Sequence, residues 1–429
     1  MTRVGLAVHR TFHSLHTRNF RLFFVGQAVS VTGTWMNATA SAWLVLSLTN
    51  SGVALGINTA LTFLPILVVG AWGGLMADRF DKRRILVGTQ TVYAILALTL
   101  FALVATDVAR LWMVYALSLA SGMVTALDNP TRQSFYMELV GENDVTNAVS
   151  LNSAVFTGTR IVGPALAGVL IAVAHTTAVC FLVDGISYIA VIFALLAMRP
   201  DDLHGREGDR SRQGSVREGF RYVWRSPDLR RPLVLMAVVF TFSFNFSVLV
   251  PLLAKQTFGG DAATFGLMSA LAGIGSFIAA LIMANRAGTR TAARPGIRRL
   301  AIFALAAGVA LTLTAFAPTL RLAYLSMVPL GLTVMLFIVT ANSMMQLASK
   351  PAFRGRVMAL YGMVFLGSTP IGSLIAGAVG ERLSPRAGFL MGAAAALTVG
   401  AVALWWRSRV PAGIGPAPDL RPDIGLEAI

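Results

Sequence analysis

The chain has 429 residues, 56% hydrophobic and only 13% charged, with 35 Lys and Arg against 19 Asp and Glu, and its mean hydropathy is +0.71. Soluble domains carry about twice that charged fraction, which excludes a water-soluble enzyme and points to a polytopic membrane protein. The net charge of +16 sits in short loops, so it reads as membrane topology and not as nucleic-acid binding, and the single Cys180 excludes a disulfide framework or a multi-cysteine metal site.

Twelve apolar runs are long enough to span a bilayer: 20–48, 52–77, 85–105, 108–128, 146–173, 176–198, 231–257, 261–284, 300–317, 320–348, 356–380 and 386–406. The first begins near Phe20 and is too long and too polar for a signal segment, so it reads as a retained span. These runs divide the chain into an arm (1–19), a six-helix bundle (20–198), a linker (199–230), a second six-helix bundle (231–406) and a Pro/Gly-rich tail (407–429) expected to be disordered. The expected fold is all-α. An even number of spans puts both termini on one side, and with these bounds 29 of the 35 basic residues fall on that side and 5 on the other, which makes it the cytoplasmic side.

Along the first span Gln27, Ser30, Thr34, Asn37 and Ser41 form one polar stripe, which lines either water or another helix. Between the second and third spans comes the densest charged turn, Asp78-Arg79-Phe80-Asp81-Lys82-Arg83-Arg84. Gly74 precedes it by one helical turn on the face of Asp78, where a missing side chain admits a neighbouring helix. Asp128 closes the fourth span before Asn129-Pro130. The fifth holds Gly158, Arg160, Gly163, Pro164 and Gly168, with the proline expected to bend the helix. Arg160 is an ionised group deep in a span, and Asp184 in the sixth lies at similar depth. Two readings stay open. The two residues form a structural ion pair, or Asp184 exchanges a proton while Arg160 shifts its affinity or holds substrate.

In the linker, Val216, Phe220, Val223 and Trp224 recur at helical spacing opposite Arg217, Glu218, Arg221 and Arg225, an amphipathic helix for the inner leaflet ended by Ser226-Pro227. The second bundle offers Asn245, Asn342 and Gln346, with Phe242, Phe246 and Phe365 as aromatic surface. Its sequence also echoes the first. Leu75-Met-Ala-Asp78-Arg79 returns as Ile282-Met-Ala-Asn285-Arg286 at an offset of 207, and Leu151…Gly163…Gly168 returns as Leu360…Gly372…Gly377 at an offset of 209. Two matches at nearly one offset imply parallel repeats with a site between them near the midplane. There is no nucleophile–base pair, phosphate loop or metal-ligand cluster, and the five His lie in the arm or in loops. With no ATPase and no cofactor, uphill transport requires an ion gradient.

Gly74, Asp78, Arg79, Lys82 and Arg83 resemble the signature between the second and third helices of the major facilitator superfamily, with Asp81 where glycine is usual. That variant is similar to the branch of enterobactin exporters and macrolide-efflux proteins. Gly158, Gly163, Pro164 and Gly168 partly resemble the antiporter signature of the same family. The resemblance runs from Phe20 to about Trp406. It implies a bacterial inner-membrane exporter of a siderophore or drug, monomeric, driven by proton antiport, with no partner beyond the bilayer and a bulky organic substrate. It places the first helix on the central cavity, with Gln27, Ser30, Thr34 and Asn37 facing Asn245, Asn342 and Gln346. It also implies a cytoplasmic latch in which Asp128 pairs with Lys82 or Arg83, and Asp78 faces the start of the eleventh helix near Gly355–Met358. An ion-driven importer and a non-transporting receptor of the same fold are the alternatives. The charge split predicts that reporter fusions at Ser211 and Asp419 read cytoplasmic and one at Asp107 periplasmic; a periplasmic signal at Ser211 would overturn the twelve-span topology.

Overall fold

A computed structural model describes residues 13–204, 216–287, 296–350 and 353–409. The first twelve residues of the arm, most of the tail and the middle of the linker lie outside them. The described long helices are α1 (Arg18–Thr49), α2 (Gly52–Arg79), α3 (Lys82–Ala105), α4 (Leu111–Gly141), α5 (Asp144–Ala174) and α6 (Ala178–Leu196). After the linker helix α7 (Val216–Arg225) come α8 (Pro227–Thr257), α9 (Ala262–Ala287), α10 (Ile297–Ala315), α11 (Leu320–Ala348), α12 (Arg354–Arg382) and α13 (Pro385–Arg409). Eleven of these are long and apolar enough to cross a membrane. α1, at 32 residues, is long enough but is not among the eleven, because its polar stripe dilutes its apolar character.

The fourth and fifth spans differ from expectation. The segment 129–145 is not a loop: α4 runs on through Asn129-Pro130, and the chain turns only at Gly141, where φ is 71° and a glycine is favoured. Pro130 has no N–H to give the Ala126 carbonyl. That carbonyl instead lies against α2, so close that a Cβ at Gly73 would run into it. Thr131 Oγ1 and Ser134 Oγ donate to the Leu127 and Pro130 carbonyls in the same turns. A proline survives inside a span where neighbours take up what it frees. Pro164 repeats the device in α5: the Arg160 carbonyl, without its partner, sits 3.1 Å from where a Cβ at Gly273 of α9 would stand.

The two repeats map onto matching helices, α2 onto α9 and α5 onto α12. The packing between halves keeps that symmetry, since α2 lies along α12 and α9 along α5. Polar N-caps fix the ends. Asp81 accepts from Arg84 N at 2.9 Å and starts α3, a use for the aspartate where the family signature has glycine. Asp261 accepts from Thr264 N and Oγ1, both at 2.9 Å, and these bonds hold its carboxyl below the usual range. α7 is helical as expected and ends at Ser226-Pro227, but its apolar residues divide between two surfaces. Tyr222 and Val223 are buried against the second half, Tyr222 stacking on Phe353 at 4.4 Å, and Glu218 pairs with Arg356 at 3.1 Å. Phe220 and Trp224 stack on each other at 5.4 Å and stay exposed.

Close backbone contact is strictest between α9 and α11, where a Cβ at Gly331 would run into the Ala272 carbonyl and one at Gly275 into that of Val328. Gly331→Val is expected to lower stability by about 1–3 kcal/mol or to abolish folded yield, since overpacked cores lose that much. Gly355→Ala, where no atom lies within 4 Å of the added carbon, should leave the melting curve unchanged in the same scan.

Candidate functional site

Among the described residues, the halves meet tightly at one end. Ser51 Oγ and Val53 N donate to Glu381 at 2.5 and 2.8 Å, Ser373 Oγ donates to the Gly56 carbonyl at 3.1 Å, and Lys255 Nζ and Gln256 Nε2 donate to the Leu46 and Asn50 carbonyls. Glycines carry the approach between α2 and α12: a Cβ at Gly52 would lie 2.7 Å from the Gly377 carbonyl, and one at Gly56 2.5 Å from that of Ser373. On the symmetric side, Gly168 and Pro164 meet α9 at Ala262 and Gly266. Toward the charged turn the same helices part. Gly74, Gly158, Gly355 and Gly362 would each accept a Cβ with no atom within 4 Å, and Ser153, Phe156, Trp72 and Met76 are exposed. The seam is therefore a cleft closed at the Ser51–Glu381 end and open at the charged-turn end.

This geometry corrects the role expected for Gly74, where a Cβ would meet no described atom within 4 Å; its neighbour Gly73 is the contact with α4. In the antiporter-like stretch, Gly163 brings α5 against Trp35 of α1, and Pro164 and Gly168 bring it against α9, while a Cβ at Gly158 would meet no described atom within 4 Å.

The expected pairing of Arg160 with Asp184 is absent, because α1 stands between α5 and α6. Its Gly33/Asn37 side faces α6, where Asp184, 1% exposed, accepts from Asn37 Nδ2 at 2.6 Å. Two residues from each of these, Trp35 faces α5, and the Arg160 guanidinium lies over its ring at 5.5 Å. Among the described residues, Asp184 Oδ1 is buried with no hydrogen-bond partner. Beside it, Tyr188 shares a hydrogen bond with Thr34 at 3.2 Å and stacks on Tyr93 at 5.2 Å, and Tyr93 bonds Thr125 at 2.7 Å.

The expected latch partners are corrected too. Asp128 is 1% exposed inside the first bundle and accepts from Thr89 and Gln90 at 2.7 and 2.9 Å and from Arg132. Lys82 pairs instead with Glu138, and Arg83 donates to the Leu195 and Leu196 carbonyls at the C-terminal end of α6, where a cation is favoured. The physical reason is the continued α4, which carries Arg132 and Glu138 where a loop was expected, so Asp128 finds its cation one turn along its own helix. Arg79 is exposed, and the side chain of Asp78 lies outside the described residues. Among the cavity candidates, Gln27, Ser30 and Asn245 are each 2% exposed and pack between helices: Gln27 accepts from Arg132, and Asn245 donates to the Thr241 carbonyl freed where α8 breaks at Phe244. Thr34 and Gln346 are exposed, Asn37 and Asn342 are half-buried, and Gln346 donates to Asn342 at 2.6 Å.

A family model described as a transmembrane secretion effector matches residues 9–419. The chain belongs to this family of major facilitator transporters. Its sequence is 28% identical to the staphyloferrin A transporter of Staphylococcus aureus over 61% of this chain and 66% of that protein, a match spanning just under two thirds of that relative. It is 23% identical to macrolide efflux protein A of Streptococcus pyogenes, over 87% and 92% of the two chains. With the enterobactin exporter of Escherichia coli it shares 24% identity over 86% of each. The fold matches that of a bacterial homologue of the human lysosomal transporter Spinster, solved inward-facing and unoccupied, with a TM-score of 0.72, 13% identity and coverage of 91% and 96%.

For a transporter of this family the residue missed in the sequence is Arg132. The available signal was its spacing from Asp128, four residues, which puts both on one helix face. Breaking one side of a buried ion pair leaves a bare charge and costs about 3–5 kcal/mol, whereas removing both is far milder. Arg132→Gln should therefore sharply reduce folded yield by size-exclusion chromatography, and Asp128→Asn with Arg132→Gln should recover much of it.

Proposed function

We propose that this chain is a secondary exporter of the inner membrane, moving a bulky organic molecule, of the siderophore or drug kind, by alternating access coupled to proton antiport. The observation that carries this reading is the asymmetric seam, closed by hydrogen bonds around Glu381 and open at the charged-turn end. Alternating access needs two states of similar free energy, each closed by contacts the other lacks. The Ser51–Glu381 and Ser373–Gly56 bonds are such contacts: few, polar and reversible. With the charged turn and both termini cytoplasmic, this is the inward-open state, and α1 is the twelfth span. Asp78 then has its role in the opposite state, where its end of α2 approaches the start of α12. Export is supported by relatives named as an enterobactin exporter and a macrolide efflux protein, and by the partial antiporter-like match of α5.

We assign proton coupling to Asp184. A buried carboxylate without a cation is costly as an ion, and a proton removes the cost. Asp184 has Asn37 beside it and no cation among the described residues, so its two protonation states favour different surroundings. The test is substrate efflux in inside-out vesicles with an imposed proton gradient, using a catecholate or citrate-based siderophore and a macrolide as probes. The wild type should accumulate one probe in a gradient-dependent way, and Asp184→Asn should lower that uptake by at least about tenfold while probe binding in detergent persists. Unaltered gradient-driven uptake by a well-folded Asp184→Asn protein would sink the proton-site assignment.

A further inference from the structure

We infer that the open cleft selects organic anions, with Arg160 binding the anionic group of the substrate and the Trp35 ring holding the guanidinium in place. This rests on the reading of the seam as the translocation path and names the substrate class it takes.

The argument begins with the face of α5 on which Arg160 lies. Ser153, Thr157, Arg160, Pro164 and Gly168 recur at helical spacing. Pro164 and Gly168 of this face are packed on α9, whereas Ser153 is exposed. Arg160 is therefore the residue at which the packed seam ends and the open cleft begins. Its side chain is half-buried, lies over Trp35, and has neither a carboxylate nor a hydrogen-bond partner among the described residues. Phe156, one turn nearer the open end and half exposed, meets the same indole edge-on at 5.6 Å.

The charges around the cleft are unbalanced. Asp128 is occupied by Arg132, and Asp184 is sealed behind α1 against Asn37. The acids at the start of α5 are remote, since Arg160 lies sixteen residues beyond Asp144, about 24 Å along the helix. Across the cleft, the only acid between Asp228 and Glu381 is Asp261, which caps α9 at the closed end. In the second half, the polar and aromatic groups are Asn342 and Gln346 on α11, bonded to each other, and Phe365 on α12, stacked on Tyr361 at 6.2 Å. A cation with no carboxylate beside it among the described residues attracts an anion and repels a cation, and low-dielectric walls focus that field. The planar guanidinium, pre-set on an indole, suits a carboxylate or another oxyanion bound by two parallel hydrogen bonds.

The field can be read without knowing the substrate. Cys180 is fully buried, so Ser153→Cys in the full chain gives one reactive thiol about 10 Å from Arg160 along α5. Its rates with a sulfonate-bearing and a trimethylammonium-bearing methanethiosulfonate are measured at low salt and divided by those of a free thiol. One unit charge at that distance shifts the ratio at least about fourfold toward the sulfonate, and more if the cleft focuses it. Arg160→Gln should remove that bias and Arg160→Lys should keep it. A ratio of one, a bias toward the cation, or a bias unchanged by Arg160→Gln would overturn the inference. A second arm compares carboxyfluorescein with rhodamine 123 in inside-out vesicles. Uptake of the anion that is lost in Arg160→Gln agrees with the inference, and uptake of the cation alone contradicts it. Transport of neither dye bears on the exporter reading, while the thiol ratio still decides the anion reading.

Discussion

A carbonyl freed by proline inside hydrocarbon has no water to turn to, and two of this chain's helix contacts follow from how that is resolved. Pro130 and Pro164 each release a carbonyl in mid-span, and each freed oxygen is met by a glycine on a neighbouring helix, Gly73 on α2 and Gly273 on α9. The glycines allow backbones to approach where lipid offers no hydrophobic drive for association. The first contact fixes α2 on α4 within one half. The second fixes α5 on α9 across the seam, at the depth where the cleft opens. Arg160 donates its carbonyl to that contact and its side chain to the cleft, so the position of the cation is set by the backbone of its own residue.

Much of this was legible in the sequence, and the failures have physical causes. Hydropathy located the spans because a bilayer demands long apolar runs, and the repeat at offsets of 207 and 209 matched α2 with α9 and α5 with α12. The depth of Arg160 and Asp184 was legible because charges in hydrocarbon are rare and conspicuous. Their partners were not, since depth along a helix says nothing about what stands between two helices; here α1 does. Asn129-Pro130 read as a turn because the pair favours turns locally, but tertiary contact with Gly73 carries the helix through it. That single error hid Arg132, exchanged the partner of Asp128, and reassigned Lys82 to Glu138. The polar stripe on α1 was equally ambiguous. Gln27 and Ser30 serve helix contacts, whereas Thr34 is exposed, and a periodic pattern alone does not tell protein from water.

The first bundle holds its buried charges in two different ways. Asp128 and Arg132 compensate each other and are further bonded by Thr89, Gln90 and Gln27. Among the described residues, Asp184 and Arg160 are each left without an opposite charge, on opposite sides of α1. Uncompensated groups are expensive in a fold and are tolerated where a mobile partner, a proton or a ligand, completes them.

α1 is the element through which those two sites meet. Asn37, bonded to Asp184, and Trp35, beneath Arg160, are two residues apart on the same rigid helix, about 3 Å in axial rise. A rotation or shift of α1 large enough to release Asn37 from Asp184 therefore also displaces Trp35 from beneath the guanidinium. The converse holds, because a substrate anion that draws Arg160 away from Trp35 changes what α1 packs against on that side. Coupling between the two sites then requires no chain of intermediates, only the stiffness of one helix, and it is reciprocal as any linkage between binding free energies must be.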